Sequence, residues 1–97
     1  MAYRISYKPY AERDMWQIAD FISEDSIIAA QKFLSNLKEK IEGLSDMPYK
    51  YPKIDPDKEY RKMVVDRYVV LYVVEEQSKK VLIMRVVHGM RNYQDKI

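Results

Sequence analysis

From residue 11 onward the hydrophobic period of this 97-residue chain changes once, from helical to strand-like, and that change restricts its fold more than any other feature. Between residues 11 and 22 the apolar positions are Ala11, Met15, Ile18, Ala19 and Ile22. Between residues 30 and 44 they are Ala30, Phe33, Leu34, Leu37, Ile41 and Leu44. Spacings of three and four put each set on one stripe of a helix. From residue 60 the pattern is different. Residues 60–65, 68–74 and 81–87 are short runs rich in β-branched and aromatic side chains, as strands are. The stretch 46–58 between the halves holds Pro48, Pro52 and Pro56 and reads as a loop.

The joints complete the picture. Tyr3, Ile5 and Tyr7 alternate with Arg4, Ser6 and Lys8, which predicts a short half-buried strand. Pro9 follows where a first helical turn tolerates it, since that N–H would have no helical acceptor. The polar residues 23–26 offer an N-cap to the second helix. Asp66-Arg67 is a short link and residues 75–80 a polar one, so the last three strands form two successive hairpins. The expectation is one α+β domain spanning residues 1–97. An N-terminal strand leads into an antiparallel helical hairpin, then a three-stranded antiparallel meander (β-α-α-β-β-β), with the helices on one sheet face.

Several function classes drop out. There is no cysteine, so disulfides and thiolate metal sites are excluded, and one histidine cannot build a multi-His zinc site. Both glycines stand alone, so there is no phosphate-cradling loop. No metal and no cofactor is expected. The longest apolar run, residues 68–74, falls far short of the ~20 residues of a membrane helix. The N-terminus has no apolar h-region, and a cytoplasmic protein is expected. Charge is uneven. Residues 1–49 carry 6 Lys/Arg against 8 Asp/Glu, whereas residues 50–97 carry 11 against 7. Any polyanion would be met by the second half.

Chemistry-bearing residues gather at the end, in Arg85-Val86-Val87-His88-Gly89-Met90-Arg91-Asn92-Tyr93. Arg85 interrupts an apolar strand, alternating onto the face of Ile83 and Val87. A buried guanidinium without a partner is costly. It must therefore pair with an acid, for which Asp66, Glu75 and Glu76 are candidates, or point into a solvated groove. His88 falls where the last strand ends, and an imidazole gives and takes a proton near neutral pH. Arg91 and Tyr93 on the tail, with Arg61, Lys62 and Arg67, make up a basic, aromatic-bearing surface for a target or nucleic acid. Metal-independent RNA cleavage needs a base, an acid and cations for the phosphorane; His88, Arg85 and Arg91 are of the required types. Tyr49, Tyr51, Tyr60, Tyr68 and Tyr72 are expected to pack at sheet edges and in the loop, with some lining a partner-binding groove.

The order of these segments carries a family resemblance. It runs through Ala11-x-x-Asp14-x-x-x-Ile18-x-x-Phe21-Ile22, Ala29-Ala30 and residues 33–44, then Met47-Pro48-Tyr49-x-Tyr51-Pro52. It continues through Tyr60-Arg61-x-Met63-Val64-Val65, Tyr68-Val69-Val70-Leu71-Tyr72 and Arg85-Val86-Val87-His88-Gly89-x-Arg91. Along nearly all its length the chain resembles the RelE/ParE superfamily of type II toxin–antitoxin toxins. The proline-tyrosine loop and the Arg-Val-x-His-x-x-Arg ending look closer to ParE than to RelE.

That resemblance implies a growth-inhibiting toxin of a plasmid-stabilisation type module, neutralised by a cognate antitoxin, either as a homodimer or in a toxin–antitoxin hetero-oligomer. It implies one of two targets. ParE-like members poison DNA gyrase. RelE-like members are mRNA interferases, ribosome-dependent endoribonucleases that cut mRNA in the A site. In RelE an arginine follows the tyrosine of the central strand, where this chain has Val69. Arg91 matches the arginine beyond the last strand, but Met90 replaces the lysine before it, and Tyr93 comes too soon to match RelE's tail tyrosine. These departures favour gyrase. A third reading, a non-toxic regulatory partner of an antitoxin, predicts no growth arrest.

Overall fold

A computed structural model describes residues 2–89. Strand β1 (Arg4–Tyr7) leads through Pro9 into helix α1 (Pro9–Ser23), then helix α2 (Ile27–Glu42), which ends in a 3-10 turn at Gly43–Ser45. Strands β2 (Arg61–Val65), β3 (Tyr68–Glu75) and β4 (Lys80–His88) follow. The expected element order and fold class hold. Among the described residues no helix is long and apolar enough to cross a membrane, and no group of three or more acid or imidazole side chains could hold a metal.

Both helices form where the stripes require. Ala11, Met15 and Ala19 of α1 and Ala30, Phe33, Leu37 and Ile41 of α2 are buried. Ser26 caps α2 by accepting from the Ala29 amide at 3.0 Å, a contact worth ~1 kcal/mol. The stripes pack on one face of the sheet against Met63, Val65, Val70, Tyr72, Val81, Ile83 and Val86. Leu37 and Ile41 are wholly buried, and truncating either to alanine should cost about 2–5 kcal/mol.

The sheet order is β1-β4-β3-β2. The last three strands make the expected antiparallel meander, while β1 pairs parallel to β4, so the sheet is mixed. The register shifts once, at Leu71/Tyr72: Leu71 opposes Arg85 while Tyr72 opposes Ile83, and Met84 is the extra residue of a bulge. This corrects the simple alternation read from the sequence. Ile83 and Val86 join the helix-facing core, whereas Arg85 shares the opposite face with Val87 and Leu71.

That opposite face is not bare. Val69, Leu71 and Val87 are buried there with Ile54 and Tyr60 packed against them. The proline loop is thus a strap that covers part of the second face, pinned at several points. The Tyr72 hydroxyl donates to the Pro48 carbonyl at 2.8 Å, and Arg61 Nη1 donates to the Tyr51 carbonyl at 2.6 Å. The hydroxyls of Tyr3 and Tyr49 both donate to Glu76 Oε1, at 2.7 and 2.5 Å, and Lys79 bonds Glu76 Oε2. Lys79, then Tyr49 and Tyr3, pull the Glu76 carboxyl down to about 2. Tyr72 itself contradicts the placement of tyrosines at edges and in the loop. It is fully buried in β3, a central strand apolar on both faces, and that burial pushes its hydroxyl up to about 12.

Candidate functional site

His88, at the end of β4, meets the β2–β3 turn, because it is the register partner of Tyr68. The Gly89 amide then donates to the Arg67 carbonyl at 2.8 Å, tying the chain beyond β4 to that turn. A Cβ on Gly89 would sit 3.2 Å from the same carbonyl, so a side chain there would require that carbonyl to give by a few tenths of an ångström. Asp66 turns the hairpin with φ of 55°, a left-handed conformation that aspartate tolerates. Asn36 of α2 fixes its carboxylate by donating to Oδ2 at 3.2 Å.

An aromatic relay carries the helix packing to the imidazole. The rings of Phe33 and Tyr68 lie 5.1 Å apart, and those of Tyr68 and His88 meet edge to face at 5.5 Å. A cleft of about 610 Å³ opens here, lined by Lys62, Val64, Arg67, Tyr68 and His88. Tyr68 also lines two neighbouring grooves. One, of about 630 Å³, runs between the helical hairpin and the β2–β3 turn. The other, of about 460 Å³, lies between α1 and β4. One tyrosine therefore joins three concave surfaces at a single end of the molecule.

Arg85 is placed differently from expectation. Its partner is neither Asp66, Glu75 nor Glu76 but Asp14, on α1. Asp14 Oδ2 accepts from Arg85 Nε at 2.7 Å and Oδ1 accepts from Nη2 at 3.0 Å. The Val86 amide donates to Oδ2 at 3.0 Å. The physical reason lies in the sheet edge. Strand β1 covers β4 only as far as Ile83, whose carbonyl accepts the last bond from the Lys8 amide. Beyond it the Val86 N–H would be buried without an acceptor, and Asp14 supplies one. The Asp14 hydrogen bonds raise the already high pKa of Arg85, so its charge is fixed. The signal for Asp14 was present in the sequence: an acid standing three residues after Ala11 in the buried stripe of α1, where an unpaired charge is not tolerated.

The cleft thus brings together Lys62, Arg67 and His88. Arg61 is not among them; it sits at the other end of β2, against the Tyr51 carbonyl and 5.0 Å from the Tyr49 ring centre, where it holds the strap. Arg91 and Tyr93 lie outside the described residues. An imidazole and two cationic side chains, sharing the cleft with the Asp66 carboxylate, suit a phosphate or an acidic protein surface. Among the described residues, the Arg67 side chain forms no hydrogen bond or ion pair, and it is exposed.

Solved structures share this architecture. The chromosomal ParDE toxin–antitoxin system of P. aeruginosa matches with a TM-score of 0.76 at 14% identity, over 90% of this chain and 96% of that one. The isolated RelE toxin of E. coli matches with a TM-score of 0.66 at 17% identity, over 98% and 93%. The RelBE2 complex of Mycobacterium tuberculosis contains a chain that matches at 0.62 and 20% identity, over 91% and 99%. At such identities these likenesses speak for the fold alone. No curated protein sequence matches the chain. The sequence model described as "ParE toxin of type II toxin-antitoxin system, parDE" matches residues 5–93. With that span covering nearly the whole chain, and with the fold to match, the protein belongs to the ParE toxin family of type II toxin–antitoxin systems.

Proposed function

We propose that the chain arrests bacterial growth by poisoning DNA gyrase and is held silent by a cognate antitoxin. The observation that carries the choice of target is the Arg85–Asp14 pair. A metal-independent nuclease must neutralise a phosphorane with cationic side chains, and each one lost commonly costs ~10²-fold in rate. In this chain Arg85 spends both Nε and Nη2 on Asp14 and serves to close the sheet edge. That commitment removes one of the three residues on which cleavage would rest, besides the cations already replaced at Val69 and Met90. Lys62 and Arg67 flank the cleft as a recognition surface for an acidic protein target, a use that asks for charge without proton transfer.

The solved relatives from P. aeruginosa and M. tuberculosis are toxin–antitoxin systems. By that analogy, an antitoxin segment laid into the grooves around Tyr68 would cover the same surface and silence it. The nuclease reading keeps one observation in its favour: His88 stands beside Lys62 and Arg67 in a single cleft. Mapping mRNA ends after adding purified protein to a cell-free translation reaction separates the two. Intact message with undiminished translation is expected. Cuts within ribosome-occupied codons, lost in His88→Ala, would overturn the gyrase reading.

A further inference from the structure

The two edges of the sheet are guarded unequally. On the β4 side, β1 covers the strand as far as Ile83, and Asp14 then takes the Val86 amide. On the β2 side the guard is the strap. Lys53 bridges to Arg61, and the Lys62 amide donates to the Pro52 carbonyl at 3.1 Å, away from β3. Main-chain groups alternate in direction along an antiparallel strand, so Val64, two residues on, also directs its N–H and C=O outward. Among the described residues no strap residue pairs with β2 beyond Lys62, and neither main-chain group of Val64 has a partner. The Val64 side chain is 63% exposed. A bare edge of this kind is a template for another strand.

The chemistry of the edge selects its occupant. Val64 offers a donor and an acceptor side by side, which a peptide backbone matches and a phosphate, able only to accept, does not. Charge narrows the choice further. The cleft of about 610 Å³ opens beside Val64, and its lining sets Lys62, Arg67 and the His88 imidazole against one carboxylate, Asp66, which Asn36 of α2 already engages. Arg67 is exposed, with no side-chain partner among the described residues. We infer that the β2 edge at Val64 takes an extended acidic segment of the target as a fifth strand of the sheet. An apolar side chain of that segment lies against Val64, and a carboxylate two residues along the same face reaches Arg67. Resting on the reading of gyrase as the target, this adds how the target is held: main-chain hydrogen bonds supply the grip, and Arg67 selects the acid.

Hydrogen exchange on the full chain, alone and with purified DNA gyrase, tests this directly. In the free chain the Val64 amide should exchange fast, while those of Met63 and Val65, which face β3, are protected. With gyrase bound, exchange at Val64 should slow by at least about tenfold. Val64→Pro gives a second readout. Proline removes the outward N–H and leaves the bonds to β3, a placement that edge strands tolerate. Half-inhibition of supercoiling should then need at least about tenfold more protein, with a thermal melt showing that the variant is folded. If it is not folded, the exchange measurement on the wild type decides alone. Equal inhibition by folded Val64→Pro, or an unchanged Val64 amide in a complex that forms, would overturn the inference and leave the gyrase reading standing. A folded wild-type chain that neither binds nor inhibits gyrase would overturn both. Protection of Val64 that rises with the concentration of the chain alone would give the edge to a second copy, and protection by DNA alone would give it to a nucleic acid; either result also overturns the inference.

Discussion

The two ends of the sheet use similar residues to opposite purposes. At the β3–β4 turn, Tyr3, Tyr49 and Lys79 converge on Glu76, and Arg61 holds the strap. Every one of these polar groups is used up in joining one segment of the chain to another. At the β2–β3 turn, Arg67 is exposed with no side-chain partner among the described residues, and three concave surfaces meet at Tyr68. Arg61 and Arg67 sit at the two ends of the β2 region, yet one is a structural pin and the other faces outward. Residue type and proximity in sequence say little about role; what each guanidinium already touches says a great deal.

The largest expected effect comes from breaking the pin that separates the two regions. Asp14→Ala leaves the Arg85 charge and the Val86 amide without acceptors. Removing one member of a buried pair costs about 3–5 kcal/mol, and with the Arg85 side chain 26% exposed the lower end, about 3 kcal/mol, is expected. Urea unfolding should show a lower midpoint with an unchanged m value. Next in size is Tyr72→Phe at the strap end, which orphans the Pro48 carbonyl and should cost ~1 kcal/mol by the same assay.

Arg67→Ala sharpens the contrast between the ends. Stability should move by less than about 0.5 kcal/mol, as for other exposed substitutions without a special role. Growth arrest on expression should nonetheless weaken, with target engagement down about tenfold. A variant that unfolds, or one that keeps full toxicity, would show that the open end was misjudged.

The smallest effect concerns pH. Glu76 has its folded-state carboxyl lowered from 4.5 to about 2, first by Lys79 and then by Tyr49 and Tyr3. A depressed carboxylate contributes stability above its unfolded value and loses it as pH falls through the folded one. The strap should therefore loosen between about pH 4.5 and 2. Hydrogen exchange of residues 47–58 should rise across that window in the wild type. In Glu76→Gln it should be raised already at neutral pH and vary less.

Much of this was legible in the residues, and the exceptions have identifiable causes. The stripes from Ala11 to Ile22 and from Ala30 to Leu44 state the helices plainly, and the runs after residue 60 state the strands, because local periodicity reports burial directly. The cleft was partly legible too: Lys62, Arg67 and His88 do come together. Arg61 was grouped with them because sequence neighbours at the two ends of a strand cannot be told apart by type. The partner of Arg85 was missed because Asp14 is 71 residues away in sequence and acts through a gap left where β1 stops. The bulge at Met84 was invisible for a related reason: an extra residue in one strand leaves the hydrophobic composition unchanged while reversing which face follows. The Tyr72 hydroxyl meets the strap from inside the core, and only the strap's path reveals that.

The most direct test of the account is a supercoiling reaction with purified DNA gyrase, relaxed plasmid, ATP and the folded chain. Inhibition of supercoiling with accumulation of cleaved plasmid is expected, weakened by Arg67→Ala and unaffected by His88→Ala. Undisturbed supercoiling at every concentration of a chain that still arrests growth would contradict the gyrase assignment.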